Sequence, residues 1–197
     1  TARAIVGAGG RVVLADLDAD AGRKLAAELG DRSHACETDV TDADSAAACI
    51  DATLATFGAI NGLINCAGIA TASRILGKHG PHDLDIFLRA ISVNLAGTFN
   101  MLRLAATAIA QSRPASAGER GVIVNTASIA AYDGMIGQAA YSASKAGVAG
   151  MTLPIARELA AHGIRVVAIA PGIFETGMLQ GISAGVRNGL YGAVPFP

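Results

Sequence analysis

The chain contains no tryptophan and has few aromatic or charged residues. Aromatic residues make up 4% of its 197 residues, charged residues 16%, and the formal net charge is −1. This near-neutral balance gives no electrostatic basis for binding nucleic acid or an anionic membrane. Hydrophobic residues account for 52% of the chain, which predicts a folded core and excludes a disordered chain. We expect a single domain over residues 1–197.

Long apolar runs and paired cysteines are also missing. The longest apolar segments, such as residues 164–170, fall short of the roughly 18 residues that a membrane-spanning helix needs. The three cysteines are scattered and lack CxxC spacing, which favours reduced thiols in a cytoplasmic protein. The sequence opens without a secretory signal. His79 and His82 flank a Gly-Pro pair without a cysteine or a carboxylate cluster, so we expect no metal site.

Short apolar segments alternate with amphipathic segments along the chain. The apolar segments are mostly continuous, which is typical of strands covered on both faces. The predicted strands are residues 11–16, 60–66, 121–127 and 164–170, with a weaker candidate at 34–39. The predicted helices are residues 19–29, 43–57, 84–110 and 141–161. This alternation predicts a doubly wound, Rossmann-like α/β fold with a parallel sheet, whose ligands bind beyond the carboxyl ends of the strands.

Several predicted helix ends carry capping residues. Asp18 and Asp42 stand at N-cap positions, and Gly30 and Gly58 follow the ends of their helices. Pro154 lies within the last helix, where we expect a kink.

The first ten residues do not open as a dinucleotide-binding fold normally does. Residues 2–8 are typical of the end of a helix, which Gly9 and Gly10 stop. These glycines precede a strand, whereas a phosphate-binding turn follows one. We therefore expect that the first strand of the fold and its glycine-rich turn lie outside residues 1–197. We expect the same of the C-terminal end of the fold.

Carboxylates stand at the ends of the first two predicted strands. Asp16, with Leu17 beside it, can accept hydrogen bonds from both hydroxyls of an adenosine ribose and would repel a 2′-phosphate, which favours NAD over NADP. The alternative for Asp16 is a charge at a helix N-terminus. Asp39 can accept from an adenine amino group while Val40 packs on the ring, and the alternative is a turn residue.

Small residues follow two later strands. Asn65, Ala67 and Gly68 belong to the segment NCAG, where a cofactor could approach the backbone closely; the alternative for Gly68 is an ordinary turn. Pro171 and Gly172 follow the last strand, and the Thr176 hydroxyl could bond a carboxamide. For this Pro-Gly pair an ordinary turn is the simpler interpretation.

Ser128, Tyr141 and Lys145 form the pattern that points to chemistry. Ser128 follows a strand, while Tyr141 and Lys145 are four residues apart on one helical face. A free tyrosine titrates at about 10 and is a poor base at neutral pH, but a neighbouring ammonium favours the phenolate. Such a tyrosine can accept the proton of an alcohol or donate one to a ketone. The alternative is an exposed Tyr-Lys pair without function.

Together these segments resemble the short-chain dehydrogenase/reductase family. The resemblance rests on DV at Asp39, NCAG at Asn65 and four later segments. These later segments are VNLAGTFN from Val93, NTAS from Asn125, YSASK from Tyr141 and APG from Ala170. It implies that Ser128, Tyr141 and Lys145 are catalytic, and that Asn94 completes a proton relay through water to the lysine. The alternative for Asn94 is a satisfied polar residue between packed helices.

A narrower set of segments is similar to the subgroup that acts on 3-hydroxyacyl-CoA, also described as 17β-hydroxysteroid dehydrogenases. These segments include GQAAYSASK, GMTLPIARELA and IAPGIFET, together with an insertion over residues 73–87. The resemblance implies that Gln138 lies beside the substrate oxygen; a loop amide without a ligand is the alternative. It also implies a homotetramer through the helices at 84–110 and 141–161.

The sequence therefore predicts an NAD-dependent oxidoreductase. It would interconvert a secondary alcohol and a ketone, with a 3-hydroxyacyl-CoA as the expected substrate. Three alternatives stay open: a 3-oxoacyl-carrier-protein reductase using NADPH, a steroid or sugar-alcohol dehydrogenase of the same family, and a non-catalytic NAD-binding regulator. Asp16 argues against the first, and the complete Ser-Tyr-Lys set argues against the last.

Overall fold

The computed structural model describes residues 1–78, 80–115, 117–174 and 192. The helices are α1 (Ala2–Gly7), α2 (Ala19–Leu29), α3 (Ala43–Phe57), α4 (Leu84–Ile91), α5 (Thr98–Gln111) and α6 (Ala139–Ala160). The strands are β1 (Val12–Asp16), β2 (Ser33–Glu37), β3 (Gly62–Asn65), β4 (Leu76–Gly77), β5 (Gly80–Pro81), β6 (Gly121–Thr126) and β7 (Ile164–Ile169). The predicted elements are confirmed, with boundaries that differ by at most two residues, except that the predicted helix at 84–110 is divided.

The major strands are parallel, as their continuous apolar sequences predict. In the described part of the chain, β1 pairs with β2 in one sheet, and β6 lies between β3 and β7 in another. Asn65 on β3 pairs with Asn125 on β6, and Thr126 pairs with Ile169 on β7. The carboxyl ends of β3, β6 and β7 therefore meet at one edge, where functional residues are expected.

The predicted helix at 84–110 is divided into three parts. A π-helical turn at Ser92–Gly97 separates α4 from α5. A π turn inserts one additional residue into the helical repeat and is frequent at functional sites. It leaves Asn94 fully buried, while the helix continues through Thr98 as predicted.

The core lies between the three-stranded sheet and the helices that cover it. Ile109 of α5, Ile123 of β6 and Ile164 of β7 are each at most 2% exposed and belong to one apolar cluster. A second cluster joins Cys49 of α3 to Met101 of α5. These contacts pack α5 closely against strand β6 and the rest of the three-stranded sheet.

The capping predictions are confirmed. The Asp18 carboxylate accepts a hydrogen bond from Ala21 N at 2.9 Å, and that of Asp42 accepts from Ser45 N at 2.7 Å. Gly30 and Gly58 have φ of 73° and 76°, which glycine adopts without steric cost. Helix α6 continues through Pro154, so this proline does not end the helix.

The small hairpin of β4 and β5 was not predicted, because two-residue strands carry no periodic signal. In the described part of the chain, every helix is too short or too polar to cross a bilayer.

Candidate active site

Backbone pairing at the carboxyl end of β6 positions Ser128. Hydrogen bonding to the β7 side continues past the strand, from Ala127 N to Ile169 O at 2.8 Å and from Ile129 N to Pro171 O at 3.1 Å. Ser128 lies between these bonds in an extended conformation and is 9% exposed. Its Oγ accepts from Ala130 N at 3.1 Å as the N-cap of a short 3₁₀ turn. The hydroxyl is thereby fixed at the sheet edge.

Lys145 is buried beneath the same edge. Its side chain is on α6, the residue is 5% exposed, and Nζ donates to Thr126 O at 2.7 Å. Burial lowers the pKa of Lys145, and the nearby Cys66 partly opposes this shift. The charge is therefore held in a poorly solvated position, where its electrostatic effect on neighbours is strong.

Tyr141 lies one helical turn before Lys145, as the spacing predicts. The Lys145 Nζ is 5.8 Å from the centre of the Tyr141 ring. The Tyr141 carbonyl accepts from the Ser144 hydroxyl at 2.7 Å. Helix α6 also packs against the 3₁₀ turn capped by Ser128. The three residues Ser128, Tyr141 and Lys145 therefore belong to one corner of the fold, which we call the catalytic corner.

Asn94 joins the π turn to the loop after β3 and to α6. Its Oδ1 accepts from Ile69 N at 2.8 Å, and its Nδ2 donates to Ile69 O at 2.9 Å and to Ser144 Oγ at 3.0 Å. Its carbonyl accepts from the Thr98 hydroxyl at 2.8 Å. The Asn94 side chain is therefore satisfied by protein groups and bridges packed elements. Sequence reasoning singled out Asn94 but missed Ser144 and Ile69.

An amide pair lies behind the loop that follows β3. Asn65 Nδ2 donates to Asn125 Oδ1 at 3.0 Å, so the two strands are joined by side chains as well as backbone. A Cβ at Gly68 would lie 3.2 Å from Asn94 Oδ1 and 3.6 Å from Lys145 Nζ. Gly68 thus opens space directly beside the buried amine. The neighbouring Ala67 is exposed.

Gln138 lies at the entrance to α6. Its Oε1 accepts from Met135 N at 2.9 Å, so its amide helps to shape the loop before Tyr141. The preceding residue, Gly137, has φ of 85° and its carbonyl accepts from Ser73 N at 2.9 Å. This bond connects the segment that begins at Ser73 to the loop before Tyr141.

Asp16, Asp39 and Val40 lie at the ends of β1 and β2, which we call the adenosine corner. Asp16 is exposed and accepts from Asp18 N at 3.0 Å, while Asp18 itself caps α2. Leu17 is 69% exposed. The Asp16 carboxylate retains further acceptor capacity toward solvent.

The Asp39 carboxylate is engaged by its own turn. It accepts from Thr41 N at 2.8 Å and from Thr41 Oγ1 at 2.7 Å. The Thr41 hydroxyl, followed by the Thr41 amide, lowers the pKa of Asp39. An ionised carboxylate can accept about four hydrogen bonds. Asp39 can therefore serve as a turn residue and still accept a bond from an adenine amino group.

The remaining predicted cofactor residues follow β7. The Pro171 carbonyl pairs with Ile129 N, and Gly172 is exposed. Thr176 and His79 lie outside the described residues.

Comparisons with known proteins found a family model and relatives that match this chain over most or all of its length. Residues 1–187 match the model of the family described as short chain dehydrogenase. The 3-hydroxyacyl-CoA dehydrogenase type-2 of Bos taurus is 49% identical over 100% of this chain and 76% of its own length. The Drosophila melanogaster protein of the same name is 47% identical over 100% of this chain and 78% of its own length.

A solved structure shows the same fold. The crystal structure of 3-hydroxyacyl-CoA dehydrogenase type-2 from Mycobacterium avium superposes with a TM-score of 0.91 at 42% sequence identity. The superposition covers 99% of this chain and 76% of the solved chain. The similarity therefore extends over the whole described fold.

Proposed function

Because this chain belongs to the short-chain dehydrogenase family, we propose that its catalytic corner oxidises the hydroxyl of a 3-hydroxyacyl-CoA with NAD. The chain is an oxidoreductase of this family, and its relatives use small-molecule substrates. The finer assignment is supported by relatives at 47–49% identity that are named 3-hydroxyacyl-CoA dehydrogenase type-2. The buried Lys145 beneath a strand-end serine carries the proposal.

The residues present fit a nicotinamide dinucleotide. Gly68 lacks the side chain that would otherwise press against Asn94 and Lys145, which leaves room for a ribose at that point. Lys145 commits one of its three N–H donors to Thr126, and the others suit ribose hydroxyls. Asp16 offers an exposed carboxylate at a strand end, as an adenosine ribose requires. A bound nicotinamide supplies the acceptor for the hydride.

Tyr141 is the proton acceptor in the proposed reaction. Its phenolate takes the proton from the substrate hydroxyl as the C–H bond breaks. Lys145 places a buried amine one helical turn away, with Nζ 5.8 Å from the centre of the Tyr141 ring. In the reverse direction the phenol returns the proton to the ketone oxygen.

Ser128 orients the substrate oxygen. Its Oγ accepts from Ala130 N, and its O–H can still be donated to that oxygen. A preorganised donor at the point where charge develops stabilises the transition state. Gln138 borders the same loop through its bond to Met135 and is proposed as a further substrate contact.

We propose that Asn94 supports the proton relay by holding the elements around it in place. Its bonds to Ile69 and Ser144 fix the loop after β3 against α6. The side chain itself has its amide groups committed to protein partners.

We propose NAD in preference to NADP because of Asp16. A carboxylate at this strand end accepts bonds from the ribose hydroxyls and repels a 2′-phosphate. The carrier-protein reductase, which would use NADPH, is disfavoured by the same residue. Eight further residues complete the proposed cofactor site: Leu17, Asp39, Val40, Asn65, Ala67, Pro171, Gly172 and Thr176.

Assembly as a homotetramer and a cytoplasmic location are further proposals. Helix α6 exposes a face of small and apolar residues that includes Ala146, Gly150 and Leu153. On α5, Phe99 is 47% exposed. Apolar helix faces of this kind suit burial between subunits. Light scattering, which measures the mass of the assembly, would test the proposed tetramer.

The proposed cytoplasmic location is supported by the cysteines. All three are free thiols, which agrees with a reducing compartment.

The test is formation of NADH, followed by absorbance. We expect NADH from NAD and 3-hydroxybutyryl-CoA, and a much weaker signal when NADP replaces NAD. A steroid alcohol and a sugar alcohol serve as competing substrates. Turnover of these alcohols without turnover of the acyl-CoA would overturn the substrate assignment. Binding of NADH without turnover of any alcohol would favour the non-catalytic regulator.

A further inference from the structure

The turn after β2, residues 39–42, is held from α5. Asn100 Nδ2 donates to Val40 O at 3.0 Å and to Asp42 O at 3.2 Å, across about 60 residues of chain. Asn100 Oδ1 accepts from Arg103 Nε at 3.0 Å and from Arg103 Nη2 at 2.7 Å. The arginine thus determines which end of the amide faces the turn.

Gly97 makes the close approach of this turn possible. A Cβ at Gly97 would lie 2.5 Å from Val40 Cγ2 and 3.1 Å from Val40 Cβ. A side chain there would displace Val40, because real Cβ atoms do not approach other atoms so closely. Gly97 is also the last residue of the π turn that contains Asn94.

Local bonds account for the rest of the turn. Asp39 N donates to Ser45 Oγ at 3.0 Å, and the Asp39 carboxylate is held by Thr41. These contacts orient Asp39 without help from distant parts of the chain. The position of Val40 therefore depends on α5, whereas that of Asp39 depends on its own turn.

We infer that Asn100 is a positioning residue for the adenine end of the cofactor. By holding the Val40 carbonyl, it sets the apolar surface that Val40 presents to the adenine ring. Arg103 orients the Asn100 amide, and Gly97 leaves the space that Val40 needs. In the described part of the chain, β1 and β2 form a sheet of their own. The bond from Asn100 to the Val40 carbonyl therefore also connects the adenosine corner to α5. The inference rests on the proposed NAD-dependent function.

The test separates the two halves of the cofactor. Dissociation constants are measured for NADH by its fluorescence, and for AMP and nicotinamide mononucleotide by displacement of NADH. In Asn100→Ala we expect the constants for NADH and AMP to rise about five- to ten-fold, the usual effect of losing a hydrogen-bonded position. The constant for nicotinamide mononucleotide should stay within about two-fold, because that ligand carries no adenine.

Asn100→Asp is the second variant. It keeps the acceptor for Arg103 and the side-chain volume, but it replaces the N–H donors that face two carbonyls, so the same selective loss of AMP affinity is expected. Thr107→Ala is the matched control on α5, since within the described residues the exposed Thr107 side chain bonds its own helix at Arg103 O. This control should bind all three ligands normally.

Two results would overturn the inference. One is an equal loss of affinity for AMP and nicotinamide mononucleotide, which indicates a general disturbance of α5. The other is unchanged AMP affinity in both Asn100 variants. Failure of the unaltered protein to bind NADH would instead refute the proposed function, so the two failures are distinguishable.

Discussion

The catalytic corner and the adenosine corner are held in different ways. Ser128 and Lys145 are almost fully buried and are fixed by hydrogen bonds to backbone groups of β6 and its following turn. Asp16 is exposed, and Asp39 is oriented by the threonine two residues away. Ser128 and Lys145 thus depend on burial, and the bond from Lys145 joins α6 to β6. Asp16 and Asp39 depend on local turns instead, so the two corners should respond differently to mutation.

The largest effect is expected at Lys145. Lys145→Met removes the charge and the bond to Thr126 O while keeping an apolar stem, and we expect turnover to fall about 10³-fold, within the range for loss of acid–base assistance. Steady-state NADH absorbance measures this. Lys145→Arg keeps the charge and is the control. Turnover of Lys145→Met within ten-fold of normal would place the chemistry elsewhere.

The same variant has a defined effect on stability. Burial lowers the pKa of Lys145 below its ordinary value of 10.5. The folded chain therefore loses this proton at a lower pH than the unfolded chain does. Between those two values the unfolded state binds more protons, so the free energy of unfolding rises with pH. Denaturant titrations should show this rise in the normal protein relative to Lys145→Met, and parallel curves would contradict it.

A smaller loss is expected at Ser128. Ser128→Ala removes the proposed donor to the substrate oxygen and should reduce turnover about 10²-fold. It also removes the cap on Ala130 N, which should lower the free energy of unfolding by about 1 kcal/mol. Kinetics and denaturant titration measure the two effects. Ser128→Thr retains a hydroxyl, and full turnover by the alanine variant would remove the orienting role.

At the adenosine corner the expected effect is on affinity. Asp16→Ala should raise the Kd for NADH about ten-fold, as expected for loss of hydrogen bonds to a charged acceptor. It should also reduce the preference for NADH over NADPH, because the 2′-phosphate is no longer repelled. Asp18→Ala, which removes only a helix cap, is the control. An unchanged preference would show that Asp16 does not face the ribose.

The smallest effect concerns acid stability at Asp39. Bonds from Thr41 hold the pKa of Asp39 below 3.8. The stability contributed by its ionised form is present above that ordinary value and is lost as pH falls through the lowered one. Asp39→Asn lacks this titration, so its free energy of unfolding should decline less steeply at acidic pH. Identical acid profiles would show that the Thr41 bonds do not matter to stability.

The sequence predicted the strands, and the placement of Tyr141 and Lys145 one helical turn apart, because their signals are local. Apolar segments, caps such as Asp18, and the four-residue spacing of Tyr141 and Lys145 are all visible over short distances. The π turn could not be predicted in this way, since the helical pattern continues across it. Its Asn94 is held by bonds to Ile69 and Ser144, 25 and 50 residues away.

Side-chain bonds between residues far apart in the chain could not be predicted from the sequence either. The bonds from Asn100 to Val40 and from Asn65 to Asn125 join residues 60 positions apart. A glycine such as Gly97 gives no indication of which side chain will occupy the space beside it. Only the folded chain shows that Val40 does.

We propose that Tyr141 transfers the proton at a site distinct from the adenosine corner. The direct measurement is Tyr141→Phe, assayed for turnover of 3-hydroxybutyryl-CoA by NADH absorbance and for cofactor affinity by NADH fluorescence. We predict that turnover falls by about 10³-fold or more while the Kd for NADH stays within about two-fold, because only the acid–base group is lost. Near-normal turnover in this variant would contradict the account.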